Sequence, residues 1–277
     1  LYKNEIPRQD TAHFFLLMLA SVFIAAAGYI VNDYFDINID EVNKPQRMVV
    51  DKIIHRRGAI ALHFIFNTAG IACTVLALSF WEKWYLILAN LGCMALLWFY
   101  STTFKKQLLI GNIVIAVLTA WTILIIFFSK VSLYDAFGTG NEAVHKFFRI
   151  AILYAGFAFI TTLIREAVKD MEDRDGDEKY GCKTMPIVWG MHASKVYVAV
   201  WLIALIAILV IVQVYVLQFR WWWPAVYNSV LIVLPLLYIF FRLLRAGSIK
   251  DFHALSSWIK FVMLTGILSM VFFYFYL

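Results

Sequence analysis

Charge is scarce in this 277-residue chain. Asp, Glu, Lys and Arg together make up 15% of it, where a soluble domain carries about 25%. Hydrophobic residues make up 63%, against roughly 45–50% in soluble domains, and one soluble core cannot hide that excess. A water-soluble enzyme or nucleic-acid binder is thereby excluded. The formal net charge of +6 reads instead as basic loops facing anionic lipid. Cysteine is nearly absent: Cys73, Cys93 and Cys182 form no CxxC and no even framework, so neither a disulfide scaffold nor a thiolate metal site is indicated. The histidines, at positions 13, 55, 63, 145, 192 and 253, make no HExxH and no paired axial ligands.

What the chain has in quantity is apolar length. A bilayer core of about 30 Å takes about 20 mostly apolar residues per helix, and eight stretches meet that demand: about 11–32, 57–79, 84–101, 108–128, 147–165, 193–217, 221–241 and 254–276. Little is left over for a separate soluble domain. The expected fold is all-α, a polytopic membrane helical bundle of eight transmembrane helices, with residues 1–277 as one transmembrane domain. Ala25-Ala26-Ala27 resembles a signal cleavage site, but the stretch holding it is long enough to span and runs straight into a polar motif. Trp221-Trp222-Trp223 marks an interfacial aromatic belt, and Pro235 is expected to kink the seventh span.

Successive loops alternate sides. The side reached at the end of the first span holds about 33–57, 102–107, 165–192 and 242–253. It carries 15 of the 24 Lys and Arg, against seven on the other side, so the positive-inside rule makes it cytoplasmic. The same side holds 13 of the 18 acidic residues, twelve of them in two loops.

Those two loops carry the chemistry. In NDYFDINIDEVNKPQR, residues 32–47, Asn32, Asp36 and Asp40 recur at i, i+4 and i+8, so a helix continuing past the membrane places them on one face. In REAVKDMEDRDGDEKYGCKTMP, residues 165–186, Glu166, Asp170, Asp173 and Asp177 again share a face; at 100° per residue they lie within about 40° of Glu166. Glu172, Asp175 and Glu178 fall on the other side, as a solvated row. Gly176 is the weak point for a helix unbroken through Asp177. Two phased rows of like charge on one membrane side need a cation, and oxygen-only ligands suit magnesium with a substrate phosphate. Lys44 and Arg47, Lys105 after Tyr100-Ser101, and Lys183 lie on the same side and could clamp phosphate oxygens.

At these residues the chain resembles the UbiA superfamily of intramembrane prenyltransferases. Asn32, Asp36 and Asp40 match its NxxxDxxxD signature. Asp170, Asp173, Asp177, Gly181, Thr184 and Pro186 match its second Asp-rich string with G-x-x-T-x-P, and Tyr100, Ser101, Lys105, Gly111 and Asn112 match the segment between. The resemblance implies a nine-helix fold around a lipid-open cavity, in which magnesium and a prenyl diphosphate are bound, the diphosphate ionises, and an acceptor captures the allylic cation. The chain opens at Leu1 and the family's first helix is not found in it, so eight spans and an N-terminal truncation are expected here. By resemblance, Asn32, Asp36, Asp40, Asp170, Asp173 and Asp177, joined by Glu166, hold magnesium and diphosphate, with Asp36, Asp40, Asp170 and Asp173 as the catalytic carboxylates. Lys44, Arg47, Lys105 and Lys183 hold the phosphates, with Tyr100 and Ser101 beside them.

NKPxR after the first motif and REAVKDMED look most like the digeranylgeranylglycerophospholipid synthase-like branch. The implied partners are a prenyl diphosphate, membrane lipids and a lipid-phase acceptor such as geranylgeranylglycerol phosphate. The string looks unlike the 4-hydroxybenzoate and haem O branches, but similar strings occur in the chlorophyll and homogentisate branches, so the alternative is an aromatic acceptor of quinone, homogentisate or chlorophyll type. A cation-coupled transporter is the rival from another class, but it calls for charges near the midplane in broken helices, whereas here the acids cluster at one interface.

Overall fold

The computed structural model describes residues 8–43, 45–46, 48–78, 80–138 and 142–276. Among them the regular elements are all helical, and eight helices are long and apolar enough to cross a membrane: Thr11–Asn43, Arg56–Ala77, Trp81–Thr102, Ile110–Lys130, Val144–Glu172, Gly190–Leu217, Trp222–Arg245 and Ile249–Phe273. The chain is an integral multi-pass membrane protein. It divides into two compact units, Leu1–Ala155 and Gly156–Leu277.

The first unit is built from α1 (Arg8–Asn43), α2 (Arg56–Ala77), α3 (Phe80–Thr102) and α4 (Ile110–Lys130), with the short α5 (Leu133–Phe137) and the start of α6 (Glu142–Glu172). Leu17, Ala20, Ile24, Ala27 and Val31 are buried along one stripe of α1. The spacing of three and four is that of a packed helix face. Small residues let α2 approach closely, as membrane helices require: a Cβ at Gly70 would stand 2.9 Å from Ile24 Cγ1. Lipid offers no hydrogen-bond partner, and several polar side chains inside pair with one another or with backbone carbonyls. The His63 ring bonds through Nδ1 to Ala27 O at 2.9 Å, which puts the proton on Nδ1, and Asn67 Nδ2 then donates to Nε2 at 3.0 Å. Asn90 donates to Thr74 Oγ1 at 3.0 Å and accepts from Trp121 Nε1 at 3.1 Å.

The second unit continues α6 and adds α7 (Arg174–Lys179), α8 (Met185–Val188), α9 (Gly190–Leu217), α10 (Trp222–Asn228), α11 (Leu234–Arg245), α12 (Ile249–Leu268) and α13 (Val271–Tyr276). α9 buries only one face, Ser194, Val198, Leu202 and Leu205, and the remainder of this apolar helix suits lipid contact. The kink expected at Pro235 takes the form of a π-helical turn over Ser229–Val233, immediately before α11. Proline has no N–H to give the carbonyl four residues back. That carbonyl, Leu231 O, accepts instead from Thr265 Oγ1 of α12 at 3.0 Å. The defect is thus repaired by a neighbouring helix.

Candidate active site

The first motif lies on α1 itself. A helix of 36 residues is about 54 Å long, well beyond a bilayer core of about 30 Å. Its last turns carry the polar residues out of the apolar layer without breaking the helix, so Asn32, Asp36 and Asp40 keep one face. Asn32 Nδ2 donates to Asp36 Oδ2 at 2.8 Å. Lys105, from the short turn Phe104–Lys106 between α3 and α4, brings Nζ to 2.5 Å from Asp36 Oδ1 and 3.4 Å from Asn32 Oδ1. The Lys105 and Asp36 side chains are 10% and 15% exposed. Burial pulls the Lys105 ammonium below the ordinary lysine range, and the Asp36 carboxylate opposes that shift.

Tyr100 and Ser101 end α3 in the same unit. Ser101 is buried and its hydroxyl donates to Leu97 O at 2.9 Å, so its proton is spent within the helix. Asp40 is half-buried one turn beyond Asp36. Lys44 and Arg47 lie outside the described residues.

The second motif sits where α6 ends, in the second unit. Glu166 is buried and paired with the guanidinium of its neighbour Arg165, and Asp170 lies one turn further along. The helix expected through Asp177 is interrupted at Asp173, whose φ of −94° and ψ of 5° separate α6 from α7. Aspartate is a poor interior helix residue because its carboxylate competes for backbone groups, and Gly176 weakens the turn after it. The helical bonding persists across the break, Asp173 N to Lys169 O at 2.9 Å and Asp177 N to Asp173 O at 3.2 Å, so the row is bent rather than scattered. Gly181, at φ +71°, turns the chain back, and Cys182 N donates to Asp177 O at 2.9 Å. Lys183 is exposed beyond that turn. The hydroxyl of the next residue, Thr184, is buried with no hydrogen-bond partner.

Glu172 departs from the solvated row that its phase predicts. It does point away from the Glu166–Asp170 row, but it is not solvated: its side chain is 9% exposed and bonds to His253 Nδ1 of α12 at 2.8 Å. The end of α6 is therefore tied to the start of α12. Asp175 and Glu178 are exposed, as the phase predicts.

Among the described residues, no three His, Cys, Asp or Glu side chains already form a group that could hold a metal. The donors in the first motif nevertheless suit magnesium. That ion prefers one or two carboxylates with substrate phosphate and retained water over an all-protein cage. Asn32 Oδ1 and Asp36 Oδ1 both turn to one cation, the Lys105 ammonium, so these two oxygens already face positive charge.

A family model, the UbiA prenyltransferase family, matches residues 5–264. The chain belongs to this family. The match spans both compact units and both acidic motifs. Among curated relatives, the digeranylgeranylglyceryl phosphate synthase of Haloquadratum walsbyi is 36% identical over 202 residues, 72% of this chain and 64% of that protein. The synthase of the same name from Saccharolobus solfataricus is 28% identical over 89% of this chain and 79% of its own. Across the first three curated relatives it matches, the chain spans only about six tenths of their length. Solved structures share the fold. A UbiA homologue from Aeropyrum pernix K1 superposes with a TM-score of 0.65 at 17% identity, over 94% of this chain and 90% of that one. A UbiA homologue from Archaeoglobus fulgidus, bound to GPP and Mg2+, gives 0.56 at 18% identity, over 94% and 89%.

Proposed function

We propose that this UbiA-family chain is a magnesium-dependent intramembrane prenyltransferase. It moves a prenyl group, geranylgeranyl by preference, from a prenyl diphosphate to the hydroxyl of a lipid-phase acceptor of the geranylgeranylglycerol phosphate type. The observation that carries the reading is the part-buried convergence of Asn32 and Asp36 oxygens on a single cation near the C-terminal end of α1. Its support in the acceptor choice is the likeness to digeranylgeranylglyceryl phosphate synthases.

In this proposal Asn32, Asp36 and Asp40, and in the second unit Glu166, Asp170, Asp173 and Asp177, hold magnesium and diphosphate. When bound, magnesium supplies positive charge that stabilises the leaving diphosphate. Lys105, Lys183, Lys44 and Arg47 donate to the diphosphate oxygens, and their charge counts most where negative charge develops. Tyr100 and Ser101 border that group. The bond between the allylic carbon and the bridging oxygen breaks, and its electron pair departs with the diphosphate. The acceptor oxygen forms the new carbon–oxygen bond and gives up its proton to the released diphosphate. The apolar chain stays among the membrane helices throughout, so its transfer does not require crossing water. The acidic motifs face the cytoplasm in this proposal, the side of the basic excess, where diphosphate and magnesium are supplied.

Purified protein given geranylgeranyl diphosphate and magnesium tests this. Diphosphate release should rise with geranylgeranylglycerol phosphate and stay at background with 4-hydroxybenzoate or homogentisate. Turnover confined to an aromatic acceptor would overturn the acceptor assignment, and the absence of turnover with every acceptor would overturn the activity.

A further inference from the structure

Lys105 meets Asp36 from a loop whose backbone has almost no room to be elsewhere. The turn is closed by Thr103 N to Phe99 O at 2.9 Å, Gln107 N to Phe104 O at 3.0 Å and Ile110 N to Leu108 O at 2.7 Å, and Leu109 enters α4 with φ +61°. The loop then lies directly against the first turn of α4, over the buried Gly111. A Cβ at Gly111 would stand 2.9 Å from Lys105 Cα, 3.0 Å from Phe104 O and 3.3 Å from Lys105 N. All three are backbone atoms, so no side-chain rotation relieves the contact. Elsewhere in this unit the close approach is of another kind: at Gly28 the neighbour is the Leu97 side chain, which can turn aside.

We propose that Gly111 is a positioning residue for Lys105: because it lacks a side chain, the loop backbone can seat on α4 where the Lys105 ammonium reaches both Asp36 and Asn32. A methyl group there must push the Lys105 backbone away from α4. The ammonium sits at 2.5 Å from Asp36, and a displacement of about 1 Å in a positioned group can cost on the order of a hundredfold in rate. The inference rests on the proposed function only in naming diphosphate as the anion that Lys105 serves; the placement of Lys105 is tested without it.

The full chain in detergent would be prepared as Gly111→Ala, Lys105→Met, the double variant, and Gly92→Ala as control, since a Cβ at Gly92 meets nothing within 4 Å. Two readouts apply: the acylation rate of the Lys105 amine by mass spectrometry, with neighbouring Lys106 as internal reference, and calorimetric binding of inorganic diphosphate with magnesium. Gly111→Ala should raise Lys105 labelling about fivefold relative to Lys106, while Gly92→Ala leaves it unchanged. Gly111→Ala should weaken diphosphate binding about tenfold alone and less than twofold on top of Lys105→Met, since residues acting through one another are not additive. If Gly111→Ala is not recovered folded, it is prepared on Leu109→Gly, which relieves the positive-φ strain at the entry to α4, and Lys105 labelling should still rise at least about twofold over Leu109→Gly alone. Unchanged Lys105 labelling in the folded variant, or an equal loss of diphosphate binding in both backgrounds, overturns the inference. Raised labelling in a protein that never binds diphosphate would uphold the positioning and overturn the proposed function instead.

Discussion

Replacing Asp36 with Asn separates what this carboxylate does for the fold from what it does for chemistry. The substitution keeps the shape and removes the charge, leaving the Lys105 ammonium 10% exposed beside neutral amides, with the Asp40 carboxylate as a remaining counter-charge. Breaking a buried pair by removing one partner costs about 3–5 kcal/mol. The remaining solvent exposure and the Asn32 oxygen at 3.4 Å reduce that to about 2–3 kcal/mol. At roughly 2–4 °C per kcal/mol for a chain of this size, the melting temperature in detergent should fall by about 4–12 °C. Adding Lys105→Met removes the stranded charge, and the Asp36→Asn/Lys105→Met protein should recover to within about 3 °C of wild type, because two apolar or neutral groups can replace a buried pair at little cost. Activity should behave differently. Prenyl transfer should fall more than about a hundredfold in Asp36→Asn, over about 2.7 kcal/mol in transition-state terms, and should not return in the double variant. Thermal melts followed by intrinsic fluorescence, with product quantified by mass spectrometry on the same preparations, read both quantities. Asp36→Asn with unchanged melting, or transfer within about tenfold of wild type, would refute the reasoning.

The second motif makes its own demands. Asp173→Asn should abolish transfer with normal insertion and purification, while Asp175→Asn, on the exposed face, should stay within about twofold in the same assay. Glu172→Gln keeps an oxygen for His253 Nδ1 and should be mild, whereas Glu172→Ala leaves the tie between α6 and α12 unmade and should cost about 1–3 kcal/mol, read as a lower melting temperature; a Glu172→Gln protein as impaired as Asp170→Asn would contradict the assigned faces. Cysteines placed singly at Glu41 and Glu178 in a Cys-free background should both resist an impermeant thiol reagent in intact cells and react after lysis. Labelling of both from outside would reverse the orientation.

The spans are legible in the sequence because their signal is length and apolarity, and all eight stretches correspond to helices in the structure. Their ends are less so. α1 runs to Asn43 because a helix that satisfies its own backbone need not stop at the membrane surface, and this extension keeps Asn32, Asp36 and Asp40 on one face as their spacing predicts. Gly176 signals a bend in the second motif, but the bend falls three residues earlier, at Asp173, where the density of carboxylates already weakens the helix. What periodicity cannot supply is partners from distant elements. Lys105 joins Asp36 across 69 residues and His253 joins Glu172 across 81; membrane side and family resemblance both draw Lys105 to the site without naming Asp36 as its partner, and nothing in the sequence singles out His253. Gly111 is visible as a motif letter, yet its steric role emerges only when the turn before α4 is folded against it.

In the proposed reaction the chain breaks a carbon–oxygen bond of a prenyl diphosphate and makes another with an acceptor hydroxyl. Geranylgeranylglycerol phosphate carrying oxygen-18 in its free hydroxyl, incubated with geranylgeranyl diphosphate, magnesium and wild-type protein, tests this directly by mass spectrometry. The expected product is an ether that retains the heavy oxygen, formed in equal amount with unlabelled inorganic diphosphate. Release of monophosphate instead of diphosphate, or an ether oxygen without the label, would contradict it.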